Sequence, residues 1–223
     1  PELSKLKDIG VVGKDIIQLC CNNGLELLSL KRLGANRCVG FDIFDEAISD
    51  GQRRSSLFSI PVEFYRENVY DIPHIYDDCF DLVYVTIGAL TWLPEITAFF
   101  EIAFRLLRDG GKLFIYESHP FSMVLPWDVS LETHSPELVD SYFHDTYSSY
   151  KEGLDYYGNE SYDAPEAYEF MHTLSDILNA IIANGLSIIG FWEFEHDISN
   201  GLKWVENSKL RLPLSYILIA GKA

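Results

Sequence analysis

Basic residues are scarce in this sequence. The 223 residues include 17 Lys and Arg against 34 Asp and Glu, so the formal net charge is −17 at pH 7. Because a phosphate backbone is bound by basic surface, this balance argues against DNA or RNA as a partner. Excess negative charge commonly serves solubility alone, and it identifies no other ligand.

Cysteines and long apolar runs are also few. Four cysteines lie in or near predicted strands without metal-ligand spacing, so we expect buried, reduced thiols and no metal site. They are Cys20, Cys21, Cys38 and Cys79. No apolar run has the length that spans a membrane, and no signal peptide is evident. We therefore expect a cytoplasmic protein without a membrane partner, and the sequence leaves its oligomeric state open.

The segment 14–42 has the most informative pattern in the chain. An apolar run at 16–21 predicts a strand, and the residues Asn-Asn-Gly at 22–24 tolerate left-handed backbone conformations. An amphipathic pattern then predicts a helix, and a second buried strand ends on Asp42. A strand, a tight turn, a helix, a strand and an acid form the outline of a nucleotide-binding βαβ unit.

Strands and helices continue to alternate along the first half of the chain. Further strands are predicted at 61–65, 80–85 and 112–117, with helices over 45–57 and from Pro94 to the Asp-Gly-Gly sequence at 109–111. This strict alternation implies a parallel sheet with right-handed crossovers.

The pattern changes after the fifth strand. The segment 120–170 is rich in tyrosine and lacks helical periodicity, which predicts an insertion or lid. A helix then begins at Thr173, and strands at 186–195 and 214–220 follow with no helix between them, so we expect them to pair antiparallel. We predict a single α/β domain over 1–223, with a Rossmann-like, doubly wound, seven-stranded, mostly parallel sheet, an antiparallel last strand and helices on both faces.

The order and spacing of these motifs resemble the class I S-adenosylmethionine-dependent methyltransferases over nearly the whole chain. The reversed last strand distinguishes this pattern from dinucleotide dehydrogenases. The glycine-loop sequence, of the form LxCxxGxxxLxLxRLGA, is most similar to a bacterial subgroup of small-molecule type. The resemblance implies S-adenosylmethionine as the cofactor and a small molecule as the methyl acceptor.

The resemblance places the cofactor loop at 18–24, where the family has an acid-x-Gly-x-Gly-x-Gly signature. Of its glycines only Gly24 is present, while Cys20 is small and Asn22 suits a positive φ. Gln18, followed by Leu19, replaces a carboxylate that usually helps to hold the ammonium group of the cofactor. An amide supplies hydrogen bonds without charge, so a degenerate domain that binds no cofactor is the alternative.

Further cofactor positions follow from the resemblance at the ends of later strands. Asp42 would accept hydrogen bonds from both ribose hydroxyls, and the alternative for it is a helix cap. The adenine would meet Ile43, Asn68 and Val69, although Asn68 could equally be an ordinary turn residue. The sulfonium end would lie near Thr86 and Ile87, for which plain strand-end residues are the alternative.

Methyl transfer to a weak nucleophile needs a general base, and histidines near the carboxyl edge of the sheet are the candidates. We predict His119 or His172 in this role, with His144 as a third candidate. A hydrogen-bonded structural histidine or a cap is the alternative for each. Trp92 and the tyrosines of 120–170 could line an aromatic pocket, or they could pack the insertion against the sheet.

Several specialised methyl transfers do not fit the sequence after the fourth strand, which reads Thr-Ile-Gly-Ala at 86–89. It is not the Asp/Asn-Pro-Pro-aromatic motif of exocyclic amine methylation, and it contains no Pro-Cys nucleophile. An acidic cluster for magnesium-dependent transfer is also missing from this place. We therefore expect metal-independent methylation of a small molecule. A non-catalytic S-adenosylmethionine-binding module and, less favoured, an NAD-dependent oxidoreductase are the alternatives.

Overall fold

The computed structural model describes residues 1–127, 137–143, 147–152, 163–199 and 201–223. The helices in these ranges are α1 (Glu2–Ile9), α2 (Leu25–Arg32), α3 (Asp45–Phe58), α4 (Ile96–Leu106), α5 (Leu174–Ala183) and α6 (Lys203–Glu206). The strands are β1 (Asp15–Leu19), β2 (Arg37–Asp42), β3 (Glu63–Arg66), β4 (Phe80–Thr86), β5 (Leu107–Ser118), β6 (Ser148–Glu152), β7 (Asp163–Glu169), β8 (Ser187–Phe194) and β9 (Ser215–Gly221). Short 3-10 helices span Val69–Asp71, His74–Tyr76, Leu90–Trp92 and Pro120–Val124.

Seven of the strands form one sheet in the order β3-β2-β1-β4-β5-β9-β8. The pairs from β3 through β5 are parallel, and β9 runs antiparallel to both β5 and β8. The predicted seven-stranded, mostly parallel sheet with a reversed last strand is therefore confirmed. The carboxyl ends of β1, β2, β4 and β5 consequently meet at one edge, where such folds bind ligands.

The sheet is covered on both faces, which explains why its central strands are almost wholly apolar. On one face, Val83 and Ile115 pack with Phe99 of α4 and Ile181 of α5. On the other face, the side chains of α1, α2 and α3 join alternate strand residues such as Phe114. Each strand thus contributes to two core layers, and the side-chain alternation decides which residues face which helices.

Several element boundaries differ from the predictions. β1 ends at Leu19 rather than at residue 21, because Cys20 has a φ of 54° and leaves the strand geometry. α4 begins at Ile96, two residues after Pro94, and ends before the predicted Asp-Gly-Gly stop. α1 and α6 were not predicted, since both are short and lack strong terminal signals.

The segment 120–170 carries short elements of its own in its described parts. A 3-10 helix spans Pro120–Val124, and β6 and β7 pair antiparallel as a separate two-stranded sheet. The backbone N–H of Phe170 donates to the carbonyl of Thr91 at 2.7 Å, so the end of this segment is anchored beside the 3-10 helix that follows β4. Its role as a lid and the single-domain organisation stay predictions.

All four cysteine thiols are free, and those of Cys21 and Cys38 are buried. Burial raises the pKa of the Cys38 thiol to about 12, which keeps it protonated and unreactive at neutral pH. Among the helices of the described ranges, none has the length and apolar character needed to cross a membrane.

Candidate functional site

The loop after β1 lies in left-handed backbone conformations at three positions. Cys20, Asn22 and Gly24 have φ values of 54°, 49° and 64°. At Gly24 a side chain is excluded, because an added Cβ would collide with the ring of Phe64. The surviving glycine therefore stands where the packing requires it, and Asn22 takes the conformation that asparagine tolerates best among non-glycine residues.

Asp42 connects this loop to the end of β2. Its Oδ2 accepts a hydrogen bond from the backbone N–H of Asn22 at 2.7 Å, and its Oδ1 accepts one from Phe44 at 2.9 Å. Each carboxylate oxygen keeps a further lone pair for a ligand hydroxyl. The N-cap of α3 is Phe44, with no side-chain cap, so the helix-cap alternative for Asp42 is not observed.

Gln18 and Thr86 form a buried pair between β1 and β4. Nε2 of Gln18 donates to Oγ1 of Thr86 at 2.9 Å, and both side chains are buried. Oε1 of Gln18 has no hydrogen-bond partner in the described part of the chain. A buried acceptor without a donor is unfavourable, so this atom marks a place where a ligand donor such as an ammonium group fits.

The neighbouring positions offer a partly apolar surface along the same edge. Ile43 and Ile87 are exposed, at 65% and 44%, whereas Val69 is buried in the core. Oδ1 of Asn68 accepts a hydrogen bond from the N–H of Tyr70 at 3.1 Å, as the turn alternative requires. That oxygen keeps a second lone pair and the side-chain NH2 keeps its two donors. The turn therefore leaves groups of Asn68 that can form hydrogen bonds to a ligand.

Glu117, at the end of β5, is a site residue that the sequence analysis did not identify. Its buried carboxylate accepts four backbone N–H groups, from Gly88 and Ala89 at 2.6 Å, Leu90 at 3.1 Å and Ser118 at 3.2 Å. Burial raises the pKa of this carboxyl, and the four N–H groups act in the opposite direction. The sequence contains one signal that could have identified Glu117, because it is an acidic residue at the end of a strand whose residues 113–116 are apolar or aromatic.

His119 is buried with its ring orientation set by its own turn. Nδ1 accepts the backbone N–H of Phe121 at 3.0 Å, so neutral His119 carries its proton on Nε2. Nε2 lies 3.2 Å from Oε1 of Glu193 without hydrogen-bond geometry. Burial lowers the pKa of His119, and Glu193 opposes this shift. The neutral ring has no lone pair free for a substrate proton, which does not fit the predicted role of general base.

His172 has the same tautomer as His119, but its ring makes different contacts. Its ring nitrogen Nε2 lies 2.7 Å from the carbonyl oxygen of Leu93. A carbonyl oxygen only accepts, so Nε2 carries the proton and the neutral ring presents a lone pair on Nδ1. No residue in the described ranges has a hydrogen bond to Nδ1 of His172. Nδ1 is therefore the ring atom of His172 that could accept a proton from a substrate.

The two histidines line different cavities. A cavity of about 30 Å³, here called the edge cavity, is lined by residues that include Leu90, Glu117, Phe170, His172, Ile177 and Tyr216. His119 instead lines an open concavity of about 420 Å³ with Phe121 and Tyr142. The predicted candidates are thus not brought together.

The remaining predicted positions are distributed as follows. His144 lies outside the described residues. Trp92 ends a 3-10 helix and is not among the described residues that line the edge cavity, whose tyrosine comes from β9. Within the part of the chain that the structure covers, no cluster of three or more His, Cys, Asp and Glu side chains could hold a metal ion.

The sequence of residues 17–115 matches the family model described as a methyltransferase domain. Among curated proteins, the chain is similar to a ubiquinone biosynthesis O-methyltransferase of Xanthomonas oryzae pv. oryzae (strain PXO99A), with 28% identity over 107 residues. That match covers 48% of this chain and 44% of the relative, so the similarity spans less than half of the curated protein.

Solved structures share the whole architecture at low sequence identity. An S-adenosylmethionine-dependent methyltransferase from Mesorhizobium loti has a TM-score of 0.71 at 21% identity, covering 99% of this chain and 97% of its own. Geranyl diphosphate C-methyltransferase from Streptomyces coelicolor A3(2), solved with S-adenosyl-L-homocysteine, has a TM-score of 0.66 at 14% identity, covering 100% and 80%. Residues 17–115 therefore belong to the methyltransferase domain family, within a chain that has the fold of the class I S-adenosylmethionine-dependent methyltransferases.

Proposed function

We propose that this protein is a metal-independent methyltransferase that uses S-adenosylmethionine and acts on a small-molecule acceptor. The observation that carries the proposal is the set of acceptor atoms at one sheet edge. Asp42 has lone pairs beside the left-handed loop, and the buried Oε1 of Gln18 lacks a donor. S-adenosylmethionine offers ribose hydroxyls and an ammonium group, which are the donors that these atoms need.

The residues around the loop fit the other parts of the cofactor. Leu19, Cys20, Asn22 and Gly24 form the turn that would let the methionine part approach the backbone. The adenine would lie along the exposed Ile43, with Asn68 at its amino edge and Val69 in the layer beneath. The sulfonium would face the end of β4, where Thr86 is buried and Ile87 is exposed. The cofactor, when bound, supplies an activated methyl group.

His172 fits the general base of this reaction. Methyl transfer requires the nucleophile to be positioned with water excluded, and a weak nucleophile must also lose a proton. Nδ1 of His172 offers the lone pair, because the carbonyl of Leu93 holds the other ring nitrogen. His119 fits a positioning role instead, since it caps the 3-10 helix Pro120–Val124 through Nδ1.

A non-catalytic cofactor-binding module is the second candidate. It is favoured by the uncharged Gln18 and by the two replaced glycines at Cys20 and Asn22. An NAD-dependent oxidoreductase is disfavoured by the reversed β9, since a doubly wound dinucleotide fold continues with crossovers. The cytoplasmic location stays a prediction.

The first experiment is calorimetric titration with S-adenosylmethionine, S-adenosylhomocysteine and NAD. We expect binding of the first two only, with an affinity that Asp42→Asn weakens by about 1.5–3 kcal/mol through lost charge-assisted hydrogen bonds. Asp45→Asn is the matched control, because it removes the same charge from an exposed position in the first turn of α3. Binding of NAD alone, or unchanged affinity in a folded Asp42→Asn variant, would contradict the proposal.

A further inference from the structure

The hydroxyl of Tyr216 is buried without a hydrogen-bond partner in the described structure, although it belongs to a residue that lines the edge cavity. Tyr216 lies in the middle of three antiparallel strands, paired with Glu117 on β5 and with Glu193 on β8. Its ring packs against Phe191, with centroids 5.5 Å apart, and edge-on against His119 at 6.1 Å. The ring is therefore held in place by its neighbours.

Neither adjacent carboxylate pairs with this hydroxyl. The two oxygens of Glu117 already accept four backbone N–H groups, which uses their lone pairs. Glu193 is about half exposed and contacts His119. A buried hydroxyl without a partner costs about 1–3 kcal/mol, and phenylalanine would fill the same space without that cost. A tyrosine here is best explained by a ligand that hydrogen-bonds to it.

We propose that the Tyr216 hydroxyl recognises the methyl acceptor, and that the acceptor is an uncharged molecule that reacts through a hydroxyl group. This inference rests on the proposed methyltransferase function. A hydroxyl group needs one acceptor and one donor, and two residues that line the edge cavity carry them: His172 has a lone pair on Nδ1, and Tyr216 has an unpartnered O–H. The acceptor hydroxyl donates to the former and accepts from the latter.

Other classes of methyl acceptor match the edge cavity less well. An ammonium group has hydrogen-bond donors only, so it could not accept a hydrogen bond from the Tyr216 O–H. A carboxylate or phosphate would meet the buried Glu117, and the described lining contains no Lys or Arg. The volume of about 30 Å³ admits a group of about the size of one water molecule. Only the reacting end of the acceptor therefore enters, between apolar walls that include Leu90 and Ile177.

Methyl transfer with His172 and Tyr216 accounts for every bond, proton and charge. A lone pair of the acceptor oxygen forms the bond to the methyl carbon, and the methyl–sulfur bond breaks with its electron pair left on sulfur. The hydroxyl proton passes to Nδ1 of His172, so the positive charge lost by the sulfonium is regained on the imidazolium. Tyr216 keeps its proton and holds the second lone pair of the oxygen throughout, which makes it a catalytic residue by contact with substrate.

The test compares wild type with Tyr216→Phe in a screen that follows release of S-adenosylhomocysteine. The probes are neutral alcohols and phenols, with amines and carboxylic acids of matched carbon frames. We expect turnover of hydroxyl compounds, a kcat/KM at least ten-fold lower in Tyr216→Phe, and unchanged affinity for S-adenosylhomocysteine. His172→Gln should lose turnover on the same compounds.

Tyr84→Phe is the matched control, because its buried hydroxyl bonds to Glu2 on the opposite face of the sheet. We expect Tyr84→Phe to unfold at a lower temperature with normal kcat/KM, and Tyr216→Phe to keep or raise the melting temperature. A lower melting temperature in Tyr216→Phe, preferred turnover of amines or acids, no turnover of hydroxyl probes, or a change in kcat/KM below two-fold would overturn the inference. Failure to bind S-adenosylhomocysteine would instead refute the proposed function.

Discussion

At the scale of single residues, Gln18 is the most informative departure from the family signature. It is buried at 1% exposure, its amide donates to Thr86, and the surroundings that the structure describes hold no cation against it. A carboxylate at this position would be a buried charge without compensation until a cation binds. The amide therefore stabilises the free protein, but it provides no negative charge to pair with the ammonium group of the cofactor.

This trade predicts opposite effects of Gln18→Glu on stability and binding. We expect the free energy of unfolding to fall by roughly 1–3 kcal/mol, since a buried carboxylate replaces a neutral amide. The affinity for S-adenosylhomocysteine should rise several-fold, because its ammonium group gains a charge-assisted hydrogen bond. Urea denaturation and calorimetry measure the two quantities.

Gln52→Glu provides the comparison, because Gln52 is the other glutamine of the chain and lies exposed on α3. It should leave the cofactor affinity unchanged. A Gln18→Glu variant with unaltered stability, or with weaker binding, would show that Oε1 of Gln18 does not face the ammonium group.

At the scale of elements, Glu117 joins the end of β5 to the loop between β4 and α4. The two strands are adjacent and parallel, so their carboxyl ends meet, and one carboxylate there can hold three successive N–H groups at 88–90. This arrangement fixes the loop that follows Ile87 and also forms one wall of the edge cavity.

Replacing this carboxylate by an amide should loosen the loop. In Glu117→Gln, the amide NH2 would face backbone donors, and we expect a loss of about 1–3 kcal/mol for each N–H left without an acceptor. Hydrogen exchange of the amides at 88–90 should become faster, and the unfolding midpoint in urea should fall. Glu101→Gln, an exposed change on α4, should alter neither. Unchanged exchange in Glu117→Gln would exclude this structural role.

At the scale of the whole molecule, the net charge of −17 opposes compaction. Most of the described ion pairs, such as Arg211 with Glu195, include at least one well-exposed partner and contribute little to stability. Repulsion between acidic groups should therefore dominate the response of this protein to salt.

We expect the melting temperature at pH 7 to rise by a few degrees with added sodium chloride. The screening length falls from about 10 Å at 0.1 M to about 3 Å at 1 M salt, which weakens the repulsion. Scanning calorimetry checks the shift, and the same series near the sequence pI of about 4.6, where the net charge vanishes, is the control. A melting temperature that falls with salt at pH 7 would show that specific ion pairs prevail.

The order of elements and the cofactor edge could be predicted from local patterns. Apolar runs, turn residues such as Asn22 and Gly24, and the Thr173–Asp176 capping box each act within a few residues of chain, and the structure confirms these conformations. Asp42 could be located because parallel strands deliver their ends to a common edge. The cofactor roles themselves remain proposals.

The edge cavity was decided by the tertiary structure alone. It combines Leu90, Glu117, His172 and Tyr216, which come from four separate parts of the chain. Leu90 and Glu117 meet because β4 and β5 are adjacent, and Tyr216 joins them because β9 lies beside β5. His172 is held there by its hydrogen bond to the carbonyl of Leu93. The difference between the two histidines likewise depends on their partners, the N–H of Phe121 and the carbonyl of Leu93. Local sequence determined which residues form strands, turns and caps. The order of strands in the sheet decided which side chains share a site, because it brings together residues that lie too far apart in the sequence for a local pattern to link them.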